Sequence, residues 1–164
     1  FKLLDAEVRF KKNWQRNKNR KASTLAKHIS DDDVIRIKTE MAKLFDQVFT
    51  KEFNSNNLAL VEKATTGTLL IRPAIIDLDV YNPDVNSAAR EKAYSKSSGT
   101  ATLYLELYDG ITGDILARVA EGQVLGDRNH FTWASSVTNK ADAKNTMQDW
   151  AKRLVEHFNS AQVK

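Results

Sequence analysis

Residues 68–81, TLLIRPAIIDLDVY, constrain the fold most strongly, because they form a long apolar run that contains a single proline. The apolar positions are odd before that proline and even after it, at Leu69, Ile71, Ile76, Leu78 and Val80. In an unbroken β-strand these two groups would point to opposite faces of the sheet, since successive side chains alternate. The run therefore predicts a central strand with an irregularity near Pro73.

A β-bulge between Arg72 and Ile75 would remove this phase change, because one extra residue moves every later side chain to the other face, and bulges tolerate proline. All five apolar side chains would then share one face. The opposite face would carry Leu70, Arg72, Asp77, Asp79 and Tyr81. An edge strand, or two shorter strands that meet at Pro73, is the alternative interpretation.

In the N-terminal half, residues 3–14 alternate between apolar and charged side chains, which predicts the first strand. Residues 15–29 begin with a stretch that has no apolar residue, so we predict an exposed basic loop there. Ser30 and Asp33 form a capping pattern, which predicts a helix that continues to about Phe53. Residues 58–64 predict a short strand that leads through a hairpin into the central strand.

In the C-terminal half, residues 82–98 predict a long loop, with a short helix possible at 87–94. Residues 100–108 and 115–125 predict two strands joined by a turn with two glycines. Phe131 and Trp133 are expected to cover an edge of the core. Asn139 and Asp142 suggest the start of a last helix, which ends near Asn159.

The predicted order is strand, helix, strand, strand, strand, strand, helix, within a single domain of residues 1–164. This order predicts an α+β fold: a two-layer sandwich in which two amphipathic helices cover one face of a mainly antiparallel sheet of about five strands. The composition, 41% apolar and 28% charged, is typical of a globular protein. No apolar run of about 18 residues is present, so the sequence predicts no membrane-spanning helix.

The sequence offers little for catalysis or cofactor binding. It has no cysteine, and none of its three histidines lies in a recognisable catalytic motif. The six glycines form no phosphate-binding pattern, and the turn at residues 109–114 lacks most ligands of a calcium loop. Asp77 and Asp79 would share a strand face, but two carboxylates alone are too few for a metal site, and a hydrolase that uses this pair is only the third candidate for the function. We therefore predict no cofactor, no metal and no enzymatic activity.

Positive charge is concentrated near the N-terminus, where eight Lys and Arg residues lie between Val8 and His28 without any acidic residue. Such a cluster can neutralise the phosphates of nucleic acid or of lipid headgroups. The candidate polyanion patch consists of Arg9, Lys11, Lys12, Arg16, Lys18, Arg20 and Lys21. Nucleic-acid binding is nevertheless disfavoured, because Trp14 continues the inward phase of the first strand and is expected in the core rather than against a base.

A polar, tyrosine-rich sheet face is the preferred candidate site. If both helices cover one face, the other face displays side chains of the types that anchor protein interfaces. The candidate interaction face consists of Arg72, Asp77, Asp79, Tyr81, Tyr104, Glu106 and Tyr108. The alternative is a solvated face held only by cross-strand pairs.

Three features together resemble one known family: the central strand, the run DGITGDILAR at residues 109–118, and WAKRL in the last helix. The chain resembles the family called domain of unknown function 3313, whose members are predicted lipoproteins of Gram-negative bacteria. Its strand pattern L-x-I-x-x-A-I-x-D is matched by Leu69, Ile71, Ala74, Ile75 and Asp77.

This resemblance implies a domain of the cell envelope, on the periplasmic side and held to the outer membrane by a lipid on a preceding cysteine. The start at Phe1 would then follow the removal of a signal peptide. It implies no catalytic residue. The partner expected from it is an envelope protein of unknown identity or a second copy of the chain, and a membrane would be contacted only through the lipid anchor.

Overall fold

The computed structural model describes residues 1–83, 93–127 and 132–162. In these ranges the chain forms seven strands, three α-helices and one short 3₁₀ turn at Leu25–Lys27. The strands are β1 (Lys2–Leu3), β2 (Glu7–Phe10), β3 (Leu69–Val80), β4 (Ala93–Ser95), β5 (Gly99–Asp109), β6 (Ile115–Leu125) and β7 (Thr132–Ala134). The helices are α1 (Trp14–Lys21), α2 (Asp31–Ser55) and α3 (Ser136–Gln162).

The main sheet has five strands, in the order β1-β3-β5-β6, with β2 beside β3 on the same edge as β1. This α+β architecture confirms the predicted fold class. The sheet is mixed, however, because β1 and β2 run parallel to β3 while β5 and β6 run antiparallel to their neighbours. The parallel pairing follows from the crossover of the chain through α1 and α2, which returns the backbone to the sheet in its original direction. The first strand predicted at residues 3–14 is instead two short strands.

The bulge in β3 exists, but not at Pro73. Pairing between β3 and β5 is continuous from Leu69 to Ile76 and shifts only between Ile76 and Asp79. Leu69 and Ile76 therefore lie on opposite faces, and the predicted position was wrong. Asp77 takes up the irregularity with a φ of 51°, a left-handed conformation that aspartate tolerates better than most residues.

Pro73 fits within a regular strand because of what lies beside it. The neighbouring strand β1 pairs with Leu70 and Ile71, and β2 begins to pair at Ala74. Pro73 thus occupies the interval between two short strands, where its missing N–H breaks no ladder on that edge. Pro73 is fully buried and faces the core. It therefore lies on the same face of the strand as Ile71 and Ile75, which are also buried.

The predicted basic loop at residues 15–29 is mostly helical, so that prediction was wrong. Trp14 opens α1, is 4% exposed, and stacks on Phe10 with ring centroids 4.0 Å apart. Amide side chains then join α1 to the chain before α2: Asn19 accepts from the N–H of Ile29 at 2.7 Å and donates to its carbonyl at 3.0 Å. The buried indole of Trp14 and these hydrogen bonds hold α1 in place. The helix therefore lacks the apolar stripe by which helices are recognised in a sequence.

Helix α2 begins as predicted. Ser30 accepts from the N–H of Asp33, and the Asp33 carboxylate accepts from the N–H of Ser30, which completes a capping box. The predicted cap at Asn139 was wrong: the cap lies four residues earlier, at Ser135, where Ser135 and Thr138 exchange the equivalent hydrogen bonds at 2.8 and 3.2 Å. A Ser/Thr pair at this spacing serves the same purpose as the expected Asn/Asp pair.

Two other predictions concern the segments that connect these elements. Residues 58–64 form no strand; this irregular segment receives the N-terminus, since the amino group of Phe1 donates to the carbonyl of Ala59 at 2.8 Å. The short helix suggested at residues 87–94 lies largely outside the described residues, and its described end belongs to β4, which pairs with β7. Phe131 also lies outside the described residues.

The core lies between the inner face of the sheet and the helices. Ile71, Ile75, Leu78, Leu103 and Leu105 supply the sheet side and are at most 3% exposed. Phe45, Phe49, Phe53, Met147, Trp150 and Ala151 supply the helix side. This layer leaves the outer face of β3, β5 and β6 without a covering helix among the described residues.

Candidate interaction surface

The outer sheet surface is the face of β3, β5 and β6 that points away from α2 and α3. In β5 the inner residues are buried and the outer ones are partly exposed, in strict alternation from Gly99 to Tyr108. The outer surface of β3 and β5 consists of Leu70, Arg72, Ala74, Ile76, Asp79, Thr100, Thr102, Tyr104, Glu106 and Tyr108. The register places four of the predicted interface residues in one neighbourhood: Arg72, Tyr104, Glu106 and Tyr108.

Glu106 is the centre of this neighbourhood. It lies opposite Arg72 of β3 and Arg118 of β6, so the three side chains form a row across three strands. The Arg72 Nη1 to Glu106 Oε2 distance is 3.5 Å, and the Arg118 Nε to Glu106 Oε1 distance is 3.3 Å. The Glu106 side chain is only 16% exposed, whereas both arginines are at least 60% exposed. The carboxylate therefore positions two exposed guanidinium groups.

The same carboxylate also orients both tyrosines. The hydroxyl of Tyr108 donates to Glu106 Oε2 at 2.7 Å, and that of Tyr104 donates to Oε1 at 3.3 Å. The hydrogen bond from Tyr108, together with those from Arg118 and Tyr104, holds the pKa of Glu106 below its ordinary value. Glu106 therefore stays charged in the folded protein to lower pH than in the unfolded chain, and this links folding to pH.

The variant Glu106→Gln should be less stable than wild type at pH 7, and the difference should shrink as the pH falls. A folded-state pKa below the ordinary value of 4.5 contributes stability that is complete above pH 4.5 and is lost as the pH falls through the folded-state pKa. Urea unfolding of both proteins at pH 7 and pH 3 measures this difference. Glu62→Gln, which changes an exposed carboxylate outside the sheet, is the control. If wild type and Glu106→Gln differed by the same free energy of unfolding at both pH values, the role of the Glu106 charge would be contradicted.

The other three residues of the predicted face lie apart from Glu106. Asp77 is exposed in the bulge. Asp79 and Tyr81 are contacted by α1: the ammonium of Lys18 lies 3.4 Å from the Asp79 carboxylate, donates to the carbonyl of Tyr81 at 3.1 Å, and lies 5.4 Å from the centre of its ring. The single face predicted from the sequence is thus divided into a network around Glu106 and a contact between β3 and α1.

An apolar region along β6 was missed in the sequence prediction. Residues of this strand are exposed along most of its length, because within the described residues it has a neighbour on one side only. The apolar side chains exposed on and before it are Ile111, Ile115, Leu116, Val119 and Val124. A signal was available: apolar residues occupy both phases of the strand, which is unusual for a half-buried strand.

The polyanion patch forms around α1 and the turn before it. Lys11, Lys12, Arg16, Arg20 and Lys21 are exposed, so α1 presents a basic outer side. Two members of the patch are already paired: Arg9 with Glu7, whose Nε and Oε1 atoms are 2.6 Å apart, and Lys18 with Asp79. An open cleft of about 390 Å³ lies beside Arg9, Trp14 and Arg16.

The described part of the chain contains no group of three or more His, Asp or Glu side chains that could hold a metal ion. A cavity between α2, α3 and the end of β3 has a volume of about 90 Å³. This is smaller than the roughly 300–1,000 Å³ typical of small-molecule sites. No helix of the described residues is both long and apolar enough to cross a membrane.

Comparison with known families gives one match. A family model with the description "Protein of unknown function (DUF3313)" matches residues 26–154. The matched range contains α2, all strands of the outer sheet surface and most of α3, whereas β1, β2 and α1 lie outside it. No curated protein matches the chain.

Proposed function

Because this chain belongs to the DUF3313 family of proteins of unknown function, we propose that it is a non-enzymatic domain of the bacterial cell envelope that binds another protein through its outer sheet surface. The observation that carries this proposal is the arrangement around Glu106. One largely buried carboxylate orients two tyrosines and two exposed arginines on an open surface.

This arrangement suits binding for an energetic reason. Association costs free energy when flexible side chains become ordered, at about 0.5–1.5 kcal/mol for each one. Tyrosine has few rotatable bonds, and hydrogen bonds to Glu106 already restrain Tyr104, Tyr108 and Arg118. Binding of a partner to these side chains would therefore lose less free energy to side-chain ordering. Tyrosine and arginine are also enriched among the residues that contribute most to interface affinity.

The partner and the location are proposed from the family. The resemblance to lipoproteins of Gram-negative bacteria supports the periplasmic side of the outer membrane, and hence an envelope protein or a second copy as the partner. The absence of cysteine and of any recognised catalytic motif supports a non-enzymatic role. The exposed charges near Glu106 suit a partner with carboxylates that two arginines can bind.

Polyanion binding through α1 has less support. Arg9 and Lys18 are paired with carboxylates of the same chain, which removes part of the positive charge from the patch. The family match also begins after α1 and includes every strand of the outer sheet surface. The open sheet face is therefore the better candidate for the function that members of the family share.

Replacing both Tyr104 and Tyr108 with alanine should abolish partner binding and leave the fold intact. The two rings supply apolar area that the partner would bury, while their inner neighbours, which form the core, are unchanged. Wild-type and variant proteins, immobilised at equal density, would be exposed to a solubilised envelope fraction, and the retained proteins compared by quantitative mass spectrometry. Thermal midpoints would be measured in parallel.

Tyr81→Ala is the matched control, because Tyr81 is 41% exposed but lies against Lys18 rather than Glu106. We expect this variant to retain the same protein as wild type. Equal retention by wild type and the double variant would refute the proposed surface. A wild type that retains nothing specifically would refute the proposed function.

A further inference from the structure

Strand β6 has a free edge in the part of the chain that the structure describes. Within residues 1–83, 93–127 and 132–162, β6 pairs with β5 alone and ends the main sheet. Its register with β5 is regular from Ala117 to Leu125, since the only irregularity lies next to Leu116. The outward N–H and C=O groups of such a strand can accept another strand.

The charges on β6 do not block this edge. The strand has two charged residues, Arg118 and Glu121, and neither lysine nor proline. Arg118 pairs with Glu106 on the outer side, and Glu121 pairs with Arg153 of α3 on the inner side. Each of these two charges therefore has a partner of opposite sign within the chain. Exposed apolar side chains lie between and beyond them, including Val119 and Val124, which are 38% and 46% exposed.

We propose that β6 pairs with β6 of a second copy, antiparallel and with Ala120 on the two-fold axis, so that two sheets join into one. This inference deepens the proposed function, on which it rests, by naming a second copy as the partner at this edge. In the joined sheet the two outer sheet surfaces form one continuous face with two Glu106 networks.

The symmetry restricts the possible registers. In a two-fold antiparallel pair one residue lies opposite its own copy, and opposed residues share a face of the sheet. An axis at Arg118 or at Glu121 would place like charges opposite each other, which is destabilising. An axis at Val119 would place Leu116 opposite Gly122, which has no side chain to cover it.

An axis at Ala120 avoids these conflicts. It places the small Ala120 side chain against its copy, Arg118 opposite Gly122, and Val119 opposite Glu121. It also brings Leu116, which is 58% exposed at the irregular end of the strand, near Val124 of the second copy, once on each side of the axis. Leu116 and Val124 thus meet each other, and no charged side chain lies opposite a like charge. This self-complementarity favours a second copy over an unrelated strand.

The expected dimer is reversible. Eleven residues in β6 at about 3.4 Å each give an edge roughly 37 Å long, and a thickness of about 10 Å corresponds to roughly 700 Å² buried in total. Stable interfaces usually bury about 1,200–2,000 Å². Dimerisation should therefore increase with protein concentration.

Sedimentation equilibrium of the purified protein from 1 to 500 µM, approximate limits chosen to span weak association, should show a monomer–dimer equilibrium. Val124→Lys should weaken this association at least about tenfold, because it replaces the apolar contact with Leu116 by a charge. Val137→Lys, at a valine that is 75% exposed on α3, is the matched control and should dimerise as wild type does. A wild type that remains monomeric, or a dimer that Val124→Lys leaves unchanged, would overturn the proposal.

Cysteine cross-linking tests the register, and it is clean because the chain has no cysteine of its own. Ala120→Cys should form a disulfide-linked dimer under mild oxidation, since residue 120 would lie opposite its copy at a distance that a disulfide can span. Lys144→Cys, exposed on α3, is the control for random collision. If Val119→Cys formed the disulfide-linked dimer faster than Ala120→Cys, the axis at Ala120 would be refuted.

These outcomes separate the two proposals. Dimerisation is measured without any other protein, whereas the tyrosine variants are tested by retention of an envelope protein. A monomeric wild type that still loses its partner on replacement of Tyr104 and Tyr108 would overturn the β6 dimer and leave the proposed function standing. If the protein stayed monomeric but bound an added β-strand peptide, this result would likewise count against self-association.

Discussion

Gly99→Ala should destabilise the protein by about 3 kcal/mol and lower the thermal midpoint by roughly 10 °C. A Cβ atom at this position would lie 2.2 Å from the backbone carbonyl oxygen of Asp79, which cannot move without disturbing the strand. Gly99 pairs with Val80 on one side and Leu125 on the other, so both β3–β5 and β5–β6 pairing would suffer. Urea unfolding and calorimetry measure the two quantities.

Gly122→Ala is the matched control for this effect. Gly122 lies in the same sheet, and its Cβ would have one neighbour within 4 Å, the Thr102 hydroxyl at 3.5 Å, which is an ordinary contact. We expect a change in the free energy of unfolding of no more than about 1 kcal/mol. If Gly99→Ala lowered the free energy of unfolding no more than Gly122→Ala does, the backbone of Asp79 would not lie as close to Gly99 as the structure shows.

Phe49→Ala should destabilise the protein by about 3–5 kcal/mol. Phe49 has no exposed surface and stacks on Phe45, with ring centroids 3.8 Å apart and planes at 21°. Removing the ring loses its buried apolar area and leaves a cavity between α2 and the sheet that the rigid surroundings fill only in part. Chemical denaturation at pH 7 measures the effect.

Ile35→Ala, in the same helix, separates loss of packing from a change in helix propensity. Ile35 is 62% exposed, so its truncation should change the free energy of unfolding by about 0.5 kcal/mol or less. Similar losses at the two positions would mean that α2 does not pack on the sheet through Phe49. The two variants together therefore test which side of α2 faces the core.

Local signals predicted the parts of the fold that depend on neighbours in sequence. The capping box at Ser30 and Asp33 involves two residues of one helical turn, and the structure forms it as expected. The alternation in β5 likewise determines which side chains share a face, so Tyr104, Glu106 and Tyr108 were correctly grouped with Arg72. Patterns of period 3.6 and 2 suffice for such features because they arise from the geometry of one element.

The predictions that failed depend on contacts between distant segments. The sequence pattern predicts the bulge at the proline in β3, but the gap between β1 and β2 accommodates this proline, and the bulge forms at Asp77. Helix α1 lacks an apolar stripe, so its sequence predicts a loop; its stability depends on the Trp14 indole N–H donating to the carbonyl of Val80 and on the hydrogen bonds between Asn19 and Ile29. These contacts join residues that are far apart along the chain or across a turn.

The candidate surface shows the same division. The sequence identified most residues around Glu106, yet it grouped them with Asp79 and Tyr81, which Lys18 contacts instead. It also missed Arg118 as the third member of the row, because the register between β5 and β6 decides which residue lies opposite Glu106. That β6 has no second neighbour among the described residues could be recognised only from the order of the strands.

The amino-acid sequence by itself determined the α+β class, the capped start of α2, the alternating faces of β5 and the family resemblance that the family match confirms. Tertiary structure alone decided where β3 changes phase, that residues 14–21 are helical, which four residues surround Glu106, and that β6 is the last strand of the sheet as far as the structure describes the chain. The physical reason is the range of the interactions: caps and periodicity act within one element, whereas strand register, crossover direction and edge exposure depend on segments that meet only after folding.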